Sequence, residues 1–289
     1  RDRIGVGPIE YVKTKSGKFS VEEIASFKST YTIFVCRDQD DRELLEIELK
    51  KIWNITPIKV VKYSEFIDIE EDGKSYFTIS YFTRYSESNN IYSTHFYLNL
   101  WMNERSEKGK IRQKSYARIE LFPNFKDSDE RIKTKYTKDY LYNESNFYNW
   151  NVGLIRTYIG IVNNLLKIGE ERWLYESEFE KKLGQLKDET LYIPSYIIES
   201  FQGDENELFK DYDYNYEVLN NSQLNEIIST SKKSVYFLVY VVSSTDKYIN
   251  VYDSNPPKIL YSKYKGLSYK LKSSDLKDLN NKIHSASKK

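Results

Sequence analysis

The chain has 289 residues, a length that fits about two domains. Its 44 basic and 43 acidic residues leave a net charge of +1 without the basic excess of a nucleic-acid binder, so we predict no nucleic-acid partner. A single cysteine excludes an intrachain disulfide. The longest apolar run, Val235–Val242, falls far short of the roughly 20 residues of a membrane helix, so we predict no integral membrane segment.

The first folded unit is predicted over residues 30–145, after a glycine-containing lead-in of residues 1–29 with one edge strand near Ile9–Lys13. The spacing of its apolar residues first indicates a strand and then a helix of period 3.6. That helix opens with a capping box of Asp40 and Glu43, and the spacing after it indicates strands again. A strand, helix and strand of this size predict a right-handed βαβ crossover, here followed by an antiparallel meander. The predicted elements are strand Thr30–Cys36, helix Asp41–Trp53, and strands Ile58–Lys62, Ser75–Phe82, Tyr92–Met102 and Ile111–Phe122.

The strongest helical pattern in the chain is Asn149–Ile168, within a linking region of residues 146–186. A second unit is predicted over residues 187–289. Its predicted elements are strand Thr190–Ile193, helices Asn206–Lys210 and Gln223–Ser229, the hairpin Val235–Val242 with Tyr248–Tyr252, strand Ile259–Tyr261 and helix Ser274–Ile283. The sequence therefore predicts an α/β (α+β) protein of two tandem mixed-sheet units joined by a long helix.

The two predicted units follow a similar order of segments. Residues 30–82 and 190–242 each carry a strand, a second strand that leads into a short helical segment, and a final apolar strand. The final strands are Tyr76–Phe82 in the first copy and Tyr236–Val242 in the second. We interpret this order as a faint internal repeat, which concerns the fold and not the chemistry.

Acidic residues follow the first predicted strand. Asp38, Asp40 and Asp41, next to Arg37, lie at the carboxyl end of that strand, where parallel α/β sheets place ligands. Helix capping explains the same residues without a ligand. We select Arg37, Asp38 and Asp40 as the candidate ligand-binding residues.

A second unusual run alternates acidic and aromatic residues from Asp211 to Tyr216. As a strand it places Asp211, Asp213 and Asn215 on one face and three tyrosines on the other. Such a face can bind a cation or stack a sugar, but an edge strand with a charged outer face that blocks aggregation is our preferred interpretation.

The sequence offers few reactive groups. Cys36 ends a strand and fits a buried thiol, and the two histidines are His95, on the more polar face of Tyr92–Met102, and His284 near the tail. Neither a Gly-rich phosphate loop nor a Gly-x-Ser-x-Gly elbow occurs. We therefore predict no catalytic residue, no cofactor and no metal site, and leave enzyme activity uncertain with a preference against it.

Two segments carry a resemblance to a known group of proteins. TIFVCRDQDDRELLEIELKKIWNITPIKVVKYSEF and INVYDSNPPKILYSKYKGLSYKLKSSDLKDL resemble proteins common in Bacteroidetes that have no assigned activity. The order of a βαβ unit and a meander is also similar to the N-terminal domains of TolB-like and CsgG-like envelope proteins. The resemblance implies a setting in the periplasm or cell envelope, with a cytoplasmic setting still open. The start at Arg1 instead of a methionine fits a processed N-terminus.

The leading functional prediction is a non-enzymatic binding or assembly protein with a protein partner or a homo-oligomeric state. The alternative is a carbohydrate-active or carbohydrate-binding protein, since the chain contains 27 tyrosines and many carboxylates. Codon bias in an AT-rich genome also explains the tyrosines and is the explanation we prefer. The aromatic residues to inspect for a sugar platform are Tyr81, Tyr85, Tyr97, Trp101 and Trp150.

Overall fold

The computed structural model describes residues 10–11, 19–66, 73–85, 91–105, 109, 111–124, 138–144, 146–170, 172, 177–243 and 246–288. The chain divides into two compact units. The first contains Arg1–Trp150 and Tyr158–Leu174, and the second contains Asn151–Thr157 and Tyr175–Lys289. Each has a mixed sheet with helices, which confirms the α/β prediction. No helix among the described residues is long and apolar enough to cross a membrane.

The first unit has a six-stranded sheet in the order β1-β6-β5-β4-β2-β3. Strand β2 is parallel to both β3 and β4, and the remaining pairs are antiparallel. The elements in chain order are β1 (Glu10–Tyr11), α1 (Val21–Lys28), β2 (Tyr31–Cys36), α2 (Arg42–Ile52), β3 (Ile58–Lys62), β4 (Lys74–Tyr85), β5 (Ile91–Arg105) and β6 (Ile111–Leu121). Helix α3 (Val152–Ile168) follows, and its residues from Tyr158 onward belong to this unit. The βαβ crossover and the meander therefore have the predicted order.

The second unit has a six-stranded sheet in the order β7-β12-β11-β10-β8-β9. Strand β8 is parallel to both β9 and β10, and the other pairs are antiparallel. Its elements are β7 (Glu178–Phe179), β8 (Leu191–Pro194), α4 (Ser195–Glu199), α5 (Glu205–Phe209), β9 (Tyr216–Leu219), α6 (Asn221–Thr230), β10 (Tyr236–Ser243), β11 (Asp246–Ser254), β12 (Pro257–Lys265) and α7 (Ser273–Ser287). Every strand thus has a counterpart of the same position and direction in the first sheet.

One helix of the first unit has a different capping residue from the predicted one, and another helix was not predicted. Helix α2 is capped by Asp41, whose carboxylate accepts the N–H of Leu44 at 3.0 Å, so the prediction of Asp40 as the cap is wrong. Helix α1, capped by a box of Ser20 and Glu23, lies within the predicted lead-in and had no apolar pattern strong enough to reveal it.

The helices of the first unit cover one face of its sheet. Phe34 of β2 and Phe77 of β4 are neighbours on that face, with ring centroids 5.8 Å apart. Trp53, at the end of α2, packs edge-on against Phe77, and Trp150 packs against Phe34. These buried rings form the core between the sheet and the helices.

Buried charges hold α7 to the sheet of the second unit. Lys247 of β11 pairs with Asp275 in the first turn of α7, and both side chains are buried. Burial lowers the pKa of Lys247, while the hydrogen bond and charge of Asp275 oppose that shift. At the other end of α7, a Cβ on Gly184 would lie 2.7 Å from the carbonyl oxygen of Ala286, so only glycine fits this approach.

Candidate functional site

Two of the three predicted ligand-binding residues meet in one cluster. The Arg37 guanidinium donates to Asp40 from Nε at 3.1 Å and from Nη2 at 2.7 Å, and its own backbone N–H also reaches Asp40. Trp150 donates its indole N–H to the same carboxylate at 3.0 Å, and the guanidinium lies 5.3 Å from the Trp150 ring. Both charged side chains are only about a tenth exposed. This cluster fixes the turn between β2 and α2 to the core.

The third predicted residue points elsewhere. The carboxylate of Asp38 accepts both the N–H and the hydroxyl of Ser64 at 2.9 Å, and its carbonyl oxygen accepts from Lys62. Asp38 therefore joins the turn after β2 to the turn after β3. Each of the three side chains has an internal partner, and whether any of them also binds a ligand stays a prediction.

Cys36 is fully buried at the end of β2. Burial, together with the nearby charge of Asp40, raises the pKa of its thiol to about 12. A thiol with this pKa is protonated at neutral pH and is a poor nucleophile.

A buried polar cluster lies on the sheet face opposite the helices of the first unit. Arg118 of β6 pairs with Glu120, and neither side chain is more than 4% exposed. The guanidinium stacks over Tyr97 at 3.9 Å and Phe82 at 4.9 Å, and His95 stacks on Phe82 with the rings 4.5 Å apart. The sequence pattern predicted His95 on this polar face, but it did not single out Arg118 and Glu120. The residues that surround those two side chains are set by the register between strands, which a local pattern does not show.

Two of the five aromatic residues of the predicted sugar platform are buried. Trp101 is buried, stacks on Tyr76 with centroids 4.7 Å apart and donates to Thr78, and Trp150 is held in the Arg37 cluster. Tyr81 and Tyr97 are half-buried. The side chain of Tyr85 lies outside the described residues.

The outer edge of the second sheet is formed by β9. The N–H of Leu191 in β8 donates to the carbonyl of Asn215 at 3.0 Å, and Leu191 lies opposite Tyr216. In this parallel register the N–H and C=O of Tyr216 and Val218 point away from β8. Within the described part of the chain, no hydrogen bond reaches these outward groups.

The other three edge strands are partly covered or short. On β3 the N–H of Val60 donates to the carboxylate of Glu46 from α2 at 3.0 Å, so a side chain covers that edge. The edges at β1 and β7 are two residues long. Natural proteins use both devices to prevent strands from adding to a sheet. Of the two edge strands longer than two residues, β3 and β9, strand β9 is the one whose outward backbone groups accept or donate no side-chain hydrogen bond among the described residues.

Aromatic rings and carboxylates border this open edge. Tyr216 stacks on Phe209 of α5 with ring centroids 4.0 Å apart. Burial and then the charge of Glu205 raise the pKa of Tyr216, and burial, then Glu217 and Glu189, raise the pKa of Tyr192 in β8. These three carboxylates are therefore close enough to act electrostatically on the tyrosines beside β9.

The acidic and aromatic run before β9 is only partly a strand. The strand begins at Tyr216, so the predicted alternation over Asp211–Tyr216 is wrong for its first five residues. Asp213 is tied instead to Asn280 of α7 by two hydrogen bonds of 2.8 and 2.9 Å, and Asp211 lies 3.8 Å from Lys277. The segment before Tyr216 therefore contacts α7 and does not join the sheet. The local sequence pattern does not contain these contacts.

Comparisons with known proteins give no relative. No family model, no curated protein and no solved structure matches this chain. Among the residues that the structure describes, no group of three or more histidine, cysteine or acidic side chains has the arrangement of a metal site.

Proposed function

We propose that this protein is a non-enzymatic binding or assembly protein that accepts an extended segment of a protein partner along β9. The observation that supports this proposal is the outward-facing backbone of Tyr216 and Val218. Each residue offers one donor and one acceptor, which gives an incoming strand four backbone hydrogen-bonding groups. Strand addition to an open sheet edge is a recurring mode of peptide recognition.

A strand added beside β9 extends a sheet that already has a buried core. Leu191 and Ile193 of the neighbouring strand are fully buried, and Leu219 of β9 is buried as well. One edge of β9 is therefore fixed to β8, and the side chains of Tyr216 and Val218 are half-exposed. A partner strand continues a sheet that is already ordered, so little additional ordering of this protein is needed.

The test is selection of random dodecapeptides on the immobilised full chain, followed by amide hydrogen exchange with the selected peptides. We expect slower exchange at Tyr216 and Val218 when a peptide is bound. Val218→Pro removes an outward N–H, which a proline on an edge strand tolerates, and we expect it to abolish binding. Val218→Thr retains the N–H and the β-branched shape and is the matched control. Selected peptides that protect a different surface, or that bind Val218→Pro unchanged, contradict the proposal.

The strand order of the two sheets also bears on the origin of the chain. We propose that the two units derive from one duplicated unit, because the strand order and directions are the same in both sheets. A cell-envelope setting rests on the sequence resemblance alone and stays a prediction.

A further inference from the structure

We infer that the segment accepted along β9 is cationic, with Lys or Arg side chains facing both sides of the extended sheet. This inference rests on the proposed function, since it names the chemistry of the partner for the same edge.

Both sides of the edge combine a tyrosine with a carboxylate. Tyr192 and Glu217 are directly opposite each other in the β8–β9 register and therefore share one face. Tyr216 lies on the other face, where it stacks on α5 and interacts with Glu205. Lys and Arg match such surroundings, because their charge is attracted to carboxylates and to the faces of aromatic rings.

A buried hydroxyl in the same aromatic cluster is an independent sign of a missing partner. Tyr212 is 7% exposed, and its ring lies 5.8 Å from Tyr214 and 6.1 Å from Tyr216. Its hydroxyl has no hydrogen-bond partner within the described ranges. Buried hydroxyls are normally satisfied, so a polar group of a bound segment that reaches Tyr212 removes an unfavourable feature of the free protein.

A second copy of this chain is a poorer occupant. Antiparallel pairing of two β9 strands with Tyr216 opposite Val218 places Glu217 opposite Glu217 on the same face. Like charges directly opposite in a strand pair are unfavourable. A cationic segment in the same position meets Glu217 with opposite charge.

The test measures binding of three labelled octapeptides to the full chain by fluorescence anisotropy. The probes are a Lys-Lys-Thr-Thr repeat (the Lys-Thr peptide), which presents lysines on both faces of a strand, a Glu-Glu-Thr-Thr repeat (the Glu-Thr peptide), and the Lys-Thr peptide with N-methyl groups on alternate amides. We expect the Lys-Thr peptide to bind about tenfold more tightly than the Glu-Thr peptide at low salt, with the difference shrinking as salt screens the charges. N-methylation removes backbone donors, so we expect it to abolish binding.

Charge-reversal variants locate the effect. Glu189→Lys with Glu217→Lys is expected to weaken Lys-Thr binding about tenfold. Glu226→Lys, on the exposed side of α6, adds a positive charge to the same unit and is the control that should keep the affinity. Thermal unfolding of each variant confirms that it is folded.

The outcomes separate this inference from the proposed function. Equal binding of the Lys-Thr and Glu-Thr peptides, with both lost in Val218→Pro, overturns the cationic partner and leaves strand addition intact. Binding that is insensitive to N-methylation or to Val218→Pro contradicts strand addition itself. Absence of binding by every probe overturns the inference, while the peptide selection still decides the function. A wild-type dimer that Val218→Pro dissociates identifies a second copy as the occupant and also overturns the inference.

Discussion

Asp40 is the acceptor for two buried donors, the Arg37 guanidinium three residues away and the Trp150 indole from a distant part of the first unit. We expect Asp40→Ala to lower the free energy of unfolding by about 3 kcal/mol, because it removes the carboxylate partner of a buried cation. Asp38→Ala is the matched control, with an expected loss of about 1 kcal/mol, since its bonds to Ser64 are exposed. Urea denaturation measures both values, and equal losses would contradict a structural role specific to Asp40.

Cys36 provides a second test on a single side chain. Because burial and Asp40 raise its thiol pKa to about 12, we expect reaction with Ellman's reagent at pH 8 to be about a thousandfold slower than for an exposed cysteine. Unfolding in guanidinium chloride should restore the normal rate. A fast reaction in the native protein would show that the thiol is reachable and ionised.

At the level of elements, Glu46 links helix α2 to the edge of β3. Burial tends to raise the Glu46 pKa, but hydrogen bonds from Lys50 and the Val60 N–H and the charges of Lys50 and Lys59 outweigh it, so the pKa is lowered. A lowered pKa in the folded state means that the carboxylate stabilises the fold above its unfolded pKa. That stabilisation is lost as pH falls through the folded pKa.

We therefore expect Glu46→Gln to be less stable than wild type at pH 6, with the difference shrinking below about pH 4. Urea denaturation between pH 3 and pH 6 measures it. Glu43→Gln, on the exposed side of the same helix, is the control and should change the stability less than Glu46→Gln. A constant difference across this range would mean that the charge of Glu46 does not contribute.

The sequence predicted the elements better than their side-chain partners. Helix α2 and strand β3 follow from local periodicity, and β3 has the predicted bounds Ile58–Lys62. The choice between Asp40 and Asp41 as helix cap depended on the Arg37 and Trp150 contacts, which come from the folded chain. The open edge at β9 likewise depends on strand order, and a linear pattern does not contain strand order.

At the level of the whole molecule, the two units share their strand order but not the residue alignment of the sequence repeat. The repeat aligns Tyr76 with Tyr236. Tyr76 stacks on Trp101, on the face away from α2, whereas Tyr236 donates to Gln185 in the turn that packs beside α7. A shift of one residue exchanges the two faces of a strand. The similarity of the units is therefore one of topology, and the aligned residues have different environments.

Helix α3 contributes residues to both compact units, and this division leads to a prediction about local unfolding. Residues Asn151–Thr157 cluster with the second unit, where the N–H of Gly153 donates to Asn225 at 2.7 Å. Tyr158–Ile168 clusters with the first unit, where Asn163 accepts the N–H of Asn54. If the second unit opens, the amides of residues 158–161 lose their acceptors four residues earlier, while later amides keep theirs.

Asp275→Ala removes the buried partner of Lys247 and should open the second unit more often. In amide hydrogen exchange we expect faster exchange throughout the second unit and at residues 158–161, with residues 162–168 unchanged. Asp278→Ala, at a more exposed carboxylate of the same helix, is the control and should have a smaller effect. Faster exchange across all of residues 158–168 would instead mean that α3 melts as one element and transmits the loss to the first unit.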